Sequence, residues 1–132
     1  MPALDRSRSV PNIIVSDADY DRLTSLATVS LERLPEVAAE LLAEMDRAKI
    51  VRDDSVPANV VRMGSTVTFR SDDGRQRTET LVYPVDEDSD AHKISVMTPV
   101  GAALIGLAEG QSISWTARDG RRHELTVVTV GP

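Results

Sequence analysis

Two periods of apolar residues divide the chain. Over residues 16–52 they recur at helical spacing, and from residue 64 onward they alternate as in strands with one buried face. Leu34, Val37, Ala38, Leu41, Leu42, Met45 and Ala48 draw a stripe along a predicted helix whose other side carries Glu36, Glu40, Glu44, Asp46 and Arg47. Pro35 opens this helix at its first position, where the missing N–H removes no hydrogen bond. A shorter helix precedes it. Ser16 is its N-cap, Asp17 and Asp19 lie at the positive end of its dipole, and Tyr20, Leu23, Leu26 and Ala27 keep its spacing. Val15 and Tyr20 occupy the two positions of a hydrophobic staple. With a brief break at residues 28–34, the pair predicts a short antiparallel helical hairpin over residues 16–52. A helix of about 15 residues is about 22 Å long, a stub rather than a long arm. Its apolar stripe is expected to be the seam between the helices, with a partner surface as the alternative.

Residues 53–63 read as a linker, because Asp53, Asp54, Ser55 and Pro57 stop the helix. Beyond it Val67 and Phe69 point inward from one strand, Asp72, Asp73 and Gly74 turn the chain, and residues 78–85 form a longer β-rich run broken by Pro84. A strand at residues 93–97 then enters the most strongly punctuated stretch of the molecule, residues 94–107. Thr98 offers an N-cap hydroxyl and Pro99 the first helical position. Ala102, Ala103, Leu104 and Ile105 supply a compact apolar turn, Gly106 suits a left-handed C-terminal position, and Leu107 folds back beyond it. Gly101 is out of place there, since glycine inside a helix costs about 1 kcal/mol against alanine, and its presence points to close approach by another backbone or by a partner. Ile113, Trp115 and Ala117 alternate inward, Asp119 and Gly120 make a hairpin, and residues 124–130 close the sheet. The C-terminal part, residues 64–132, is thus expected to be an antiparallel sheet of about five strands with one short helix inserted before the last hairpin. Residues 1–15 read as a polar, basic arm, whose β-branched end at residues 12–15 packs on the body or leads into the first helix. The fold class is α+β.

Composition narrows the chemistry. At 132 residues the chain holds one ordinary domain plus a small appendage. Its net charge of −6 argues against direct binding to DNA or RNA, which rests on neutralising phosphates, but not against docking on a protein that holds nucleic acid. Its aromatic residues are Tyr20, Phe69, Tyr83 and Trp115, too few for an aromatic-lined pocket. With no cysteine there is no thiolate nucleophile, disulfide or thiolate zinc site. His92 and His123 lack a neighbouring ligand cluster, and the acidic loop of Asp86, Glu87, Asp88 and Asp90 lacks the glycine and terminal glutamate of an EF-hand, so neither predicts a metal. No phosphate loop, dinucleotide fingerprint or nucleophile elbow occurs. No cofactor, membrane contact or enzymatic activity is expected, and the absence of a long apolar run or signal pattern reads as a soluble, cytoplasmic protein.

Certain stretches are more specific. Thr80-Leu81-Val82-Tyr83-Pro84, then Ile94-Ser95-Val96-Met97-Thr98-Pro99-Val100-Gly101-Ala102-Ala103-Leu104-Ile105-Gly106-Leu107, with Gly110, Ser112, Ile113 and Trp115 behind them, resemble the Gre-factor superfamily. From Asn12-Ile13-Ile14-Val15 onward the chain is similar to its Rnk branch, regulators of nucleoside diphosphate kinase. The resemblance implies an FKBP-like C-terminal domain, an N-terminal coiled-coil hairpin, and binding to RNA polymerase near the secondary channel with the C-terminal domain on the channel rim. Gre factors extend a long hairpin whose acidic tip helps hold a catalytic magnesium ion. Here the tip region carries Glu32, with Glu36 just beyond, and lacks the family's paired acids with an adjacent aromatic. Transcript cleavage is therefore not expected, nor is prolyl isomerisation, which in FKBP enzymes needs an aromatic cleft. The expected docking surface is Ser95, Met97, Thr98, Pro99 and Val100. A direct interaction with nucleoside diphosphate kinase is the alternative to polymerase binding.

Overall fold

The computed structural model describes residues 11–132, so most of the expected N-terminal arm lies outside the described residues. Strand β1 (Ile14–Ser16) runs into helix α1 (Asp17–Val29), followed by helix α2 (Pro35–Arg47) and strand β2 (Lys49–Val51). The Ser16 hydroxyl accepts the Asp19 N–H at 3.0 Å, which makes it the N-cap that its residue type predicts. Pro35 opens α2 at its first turn, and Val37, Ala38, Leu41 and Met45 form the buried stripe, facing Leu23 and Ala27 of α1 within one apolar cluster.

The chain does not remain helical to residue 52. Ile50 and Val51 are β-branched, and they pair in parallel with Val15 and Ser16, while the Lys49 N–H donates to the Ile13 carbonyl at 2.9 Å. Ile13 and Val15, 1% and 3% exposed, anchor this small two-stranded sheet in the core. The stretch read as a linker is also pinned. Val60 and Val61 are buried, Val61 donates its N–H to the Leu107 carbonyl at 2.8 Å, and Gly106 donates to the Val61 carbonyl at 2.9 Å.

The C-terminal part is a sheet of five strands: β3 (Thr66–Ser71), β4 (Gln76–Val82), β5 (Lys93–Ser95), β6 (Ser112–Thr116) and β7 (Arg122–Gly131), in the order β5-β4-β3-β7-β6. Helix α3 (Pro99–Leu104) is inserted before the last hairpin, as expected. The sheet is not wholly antiparallel. Strand β5 pairs with β4 in parallel, Leu81 opposite Ile94, because two short 3₁₀ turns, Pro84–Asp86 and Ser89–Ala91, carry the chain back from the end of β4 to Thr80, beside which Lys93 begins the new strand in the same direction. Residue spacing carries no trace of strand direction, which is why the sequence reading missed it. Val67, Phe69, Leu81, Leu125 and Val127 from the sheet share one cluster with Leu23 and Leu41 from the helices and with Leu104, Ile105 and Leu107.

Candidate functional site

The joint between β5 and α3 is closed by three short-range hydrogen bonds. The Thr98 hydroxyl accepts the Gly101 N–H at 3.1 Å and donates to the Ser95 carbonyl at 2.7 Å, while the Ser95 hydroxyl accepts the Met97 N–H at 2.9 Å. A Cβ on Gly101 would lie 2.1 Å from the Ser95 carbonyl oxygen and 2.9 Å from the Val96 Cα. The close neighbour that this glycine implies is the protein's own backbone. Gly106 takes φ +83°, and a Cβ there would lie 2.8 Å from the Cβ of Ile13, so β1 packs onto the end of this joint.

This geometry corrects part of the expected docking surface. Ser95 and Met97 are 2% and 4% exposed and belong to the interior. Strand alternation placed Val96 inside and Met97 outside; the strand ends at Ser95, and the turn held by its hydroxyl directs both Val96 and Met97 inward. Thr98, Pro99 and Val100 remain half-buried at the head of α3.

The turn between α1 and α2 has the opposite character. Val29, Leu31 and Leu34 are 75%, 40% and 43% exposed, and Glu32 in the turn and Glu36 in the first turn of α2 are exposed beside them. Leu34 was expected in the buried stripe of α2. It is instead the N-cap residue, with φ −134° and ψ 63° outside the helical range, and so leaves the stripe. An open cleft of about 510 Å³ separates this turn from the β6–β7 loop, with Leu34, Pro35 and Glu36 on one side, Ala117 and Arg118 on the other, and Pro99 between. Further along α2, burial raises the Glu40 carboxyl above the ordinary glutamate range, and the nearby Glu44 and Glu36 charges raise it further.

A second polar feature joins the helices to the sheet. Met63 donates its N–H to the Asp19 carboxylate at 3.3 Å, and Arg22 lies 4.1 Å over the ring of Tyr83. Burial raises the Asp19 carboxyl despite that hydrogen bond, and burial likewise raises the Tyr83 hydroxyl. Local pattern showed Asp19 only as a favourable charge in the first turn of α1; its partner, 44 residues away, leaves no mark on helical spacing. The aromatics have separate engagements: Phe69 is buried in the core, Trp115 stacks on His123 at 5.0 Å, and Tyr83 packs under Arg22. Among the described residues no group of three or more His, Asp or Glu side chains converges as a metal site, and no helix is long and apolar enough to cross a membrane.

Residues 56–132 match the family model of the GreA/GreB transcription elongation factor C-terminal domain, and residues 11–51 match that of the Rnk N-terminus. The regulator of nucleoside diphosphate kinase from Escherichia coli K12 is 40% identical over 121 residues, covering 91% of this chain and 89% of that protein. The transcription elongation factor GreA of Rhodospirillum rubrum is 34% identical over 94 residues, covering 70% of this chain and 60% of the relative. A solved GreA/GreB elongation factor structure from Nitrosomonas europaea superposes with a TM-score of 0.73 at 37% identity, covering 92% of this chain and all of that one. One relative is named for regulation and the others for transcription elongation; neither name is that of a catalysed reaction. With a Gre-type sheet domain behind an Rnk-type helical unit, the chain belongs to the GreA/GreB family of transcription factors, in its Rnk branch.

Proposed function

We propose that this protein is a non-catalytic regulator that binds RNA polymerase near the secondary channel, docking through an FKBP-like C-terminal domain and presenting its two helices as a short coiled-coil prong. The observation that carries this reading is the turn between α1 and α2, where Val29, Leu31 and Leu34 stand exposed. Each helix has 13 residues, about 20 Å of rise. Such a prong meets a partner at the mouth of a deep channel rather than at its floor. Its end offers these three apolar side chains for packing, with Glu32, Arg33 and Glu36 as solvated charges beside them. Thr98, Pro99 and Val100 supply the docking edge of the sheet domain, and Ser95 and Met97 hold that edge in shape from below.

Stalled, backtracked polymerase complexes test this directly. Adding the protein should leave RNA cleavage unaccelerated and should slow cleavage by added GreA through competition for the same entrance. Cleavage that depends on Glu32 or Glu36 would overturn the reading. The name of the Escherichia coli relative supports a second reading, direct regulation of nucleoside diphosphate kinase. Co-elution with the purified kinase, and not with polymerase, would establish it in place of the first.

A further inference from the structure

Strand β6 is the edge of the five-stranded sheet, and its outer side is unpaired. Its register with β7 sets Ile113 opposite Leu125 and Trp115 opposite His123, and Ala117 donates its N–H to the Arg121 carbonyl at 2.9 Å. The odd-numbered residues therefore face β7, and the N–H and C=O groups of Ser112, Ser114 and Thr116 face away. The other strand shows the same phase: the Glu124 N–H, opposite Ser114, turns from β6 and donates to Asp72. Among the described residues none of these outward groups on β6 has a hydrogen-bond partner.

The neighbourhood of this edge is a channel rather than a flat surface. A recess of about 110 Å³ lies between Ser114 and Trp115 of β6, Ala102 and Ala103 of α3, and Glu40 and Glu44 of α2. Glu40 and Pro99 also line the 510 Å³ cleft, so the two spaces are neighbours along β6, the recess beside Ser114 and the cleft beside Thr116. One wall is a strand edge with open hydrogen-bonding groups, the base is apolar, and the facing wall carries Glu36, Glu40 and Glu44 at intervals of four residues. Arg33 and Arg118 balance the charge at the Glu36 end of the wider cleft, whereas the only charged side chains lining the recess beside Ser114 are carboxylates. Glu44 is held by Arg47 at 2.6 Å, whereas Glu36 and Glu40 have no ion-pair partner among the described residues.

We propose that this channel receives an extended peptide segment of a partner protein, added as a sixth strand antiparallel or parallel to β6, with a lysine or arginine side chain facing Glu40, the unpaired carboxylate that lines both spaces. Main-chain pairing to Ser112, Ser114 and Thr116 supplies the binding, and the carboxylate wall selects the charge. A like-charged segment would add a further anion to a site where carboxylates already crowd one another. The proposal goes beyond polymerase docking and does not depend on it, since the occupant is defined by extended backbone and positive charge.

The probe is a capped peptide of alternating valine and lysine, with its valine–glutamate counterpart as control, titrated into the isotopically labelled full chain. Saturable amide shifts centred on Ser112, Ser114 and Thr116 are expected with the lysine peptide alone. Ser114→Pro removes an outward N–H without breaking the β7 ladder, and should weaken binding about tenfold, as expected for losing one main-chain hydrogen bond. Glu40→Lys should reverse the preference between the two peptides. Retained circular dichroism and melting temperature identify both variants as folded. Equal binding of the two peptides, binding unaffected by Ser114→Pro, no shifts along β6, or a concentration-dependent dimer of the chain paired through β6 would each overturn the proposal.

Discussion

The joint at the head of α3 and the turn between α1 and α2 are both strand- or helix-to-helix connections, yet they are built for opposite purposes. At the joint both side-chain hydroxyls are used locally: the Thr98 hydroxyl both donates and accepts, Ser95 holds the next turn, and Gly101 lets the helix rest on the strand below. At the turn, Val29, Leu31 and Leu34 face outward where solvent offers apolar side chains nothing. The stretch with the most distinctive sequence is thus mainly architecture, and the exposed apolar side chains lie on the less distinctive one. Specific sequence at a loop reports a geometric demand before it reports a binding role.

Several substitutions would break or sharpen this contrast. The largest effect belongs to Gly101→Ala. Alanine favours a helix over glycine by about 1 kcal/mol, but its Cβ would sit 2.1 Å from a backbone oxygen that cannot swing aside, and overpacking of this kind costs more than about 3 kcal/mol, a net loss above about 2 kcal/mol. Urea denaturation should show strong destabilisation; a raised midpoint would mean that the helix does not rest on β5. Next, Ile13→Ala should lower stability by about 2 kcal/mol, because Ile13 is 1% exposed and fills the space that Gly106 leaves open. A midpoint within error of wild type would detach β1 from the joint. Thr98→Ala should cost about 1 kcal/mol through loss of the cap.

The smallest effect concerns pH. Burial raises the Asp19 carboxyl in the folded chain, so folding favours its protonated form. The stability this contributes is complete below the unfolded value, near 3.9, and is lost as pH rises through the higher folded value. Asp19→Asn keeps an oxygen for the Met63 N–H and cannot ionise. The variant should gain stability relative to wild type as pH rises through that window. Parallel stability curves across it would remove burial as the controlling influence on this side chain.

Much of the architecture was legible because local signals agreed with one another. Ser16, Pro35, Thr98 and Pro99 mark helix starts by their own chemistry, and alternation at Val67 and Phe69 separates the buried face of β3 from the exposed one. What escaped depended on distant partners. The strand at Lys49–Val51 exists because Ile14–Ser16 lies beside it, and the parallel pairing of β4 and β5 depends on the path of the connection rather than on residue spacing. The site was less legible than the fold. Alternation extended one residue too far turned Met97 outward, and a stripe begun one residue too early buried Leu34. Both errors fall where an element ends, and there the periodic rule no longer describes which way a side chain points.

The most direct test is equilibrium binding of the fluorescently labelled full chain to core RNA polymerase, alongside the paired variant Leu31→Asp, Leu34→Asp. Both positions are exposed, so the variant should melt with the wild type to within about 0.5 kcal/mol of stability. Saturable binding by the wild type, clearly weakened in the equally stable variant, is the expected result. A wild-type chain that polymerase does not bind at any concentration would contradict it.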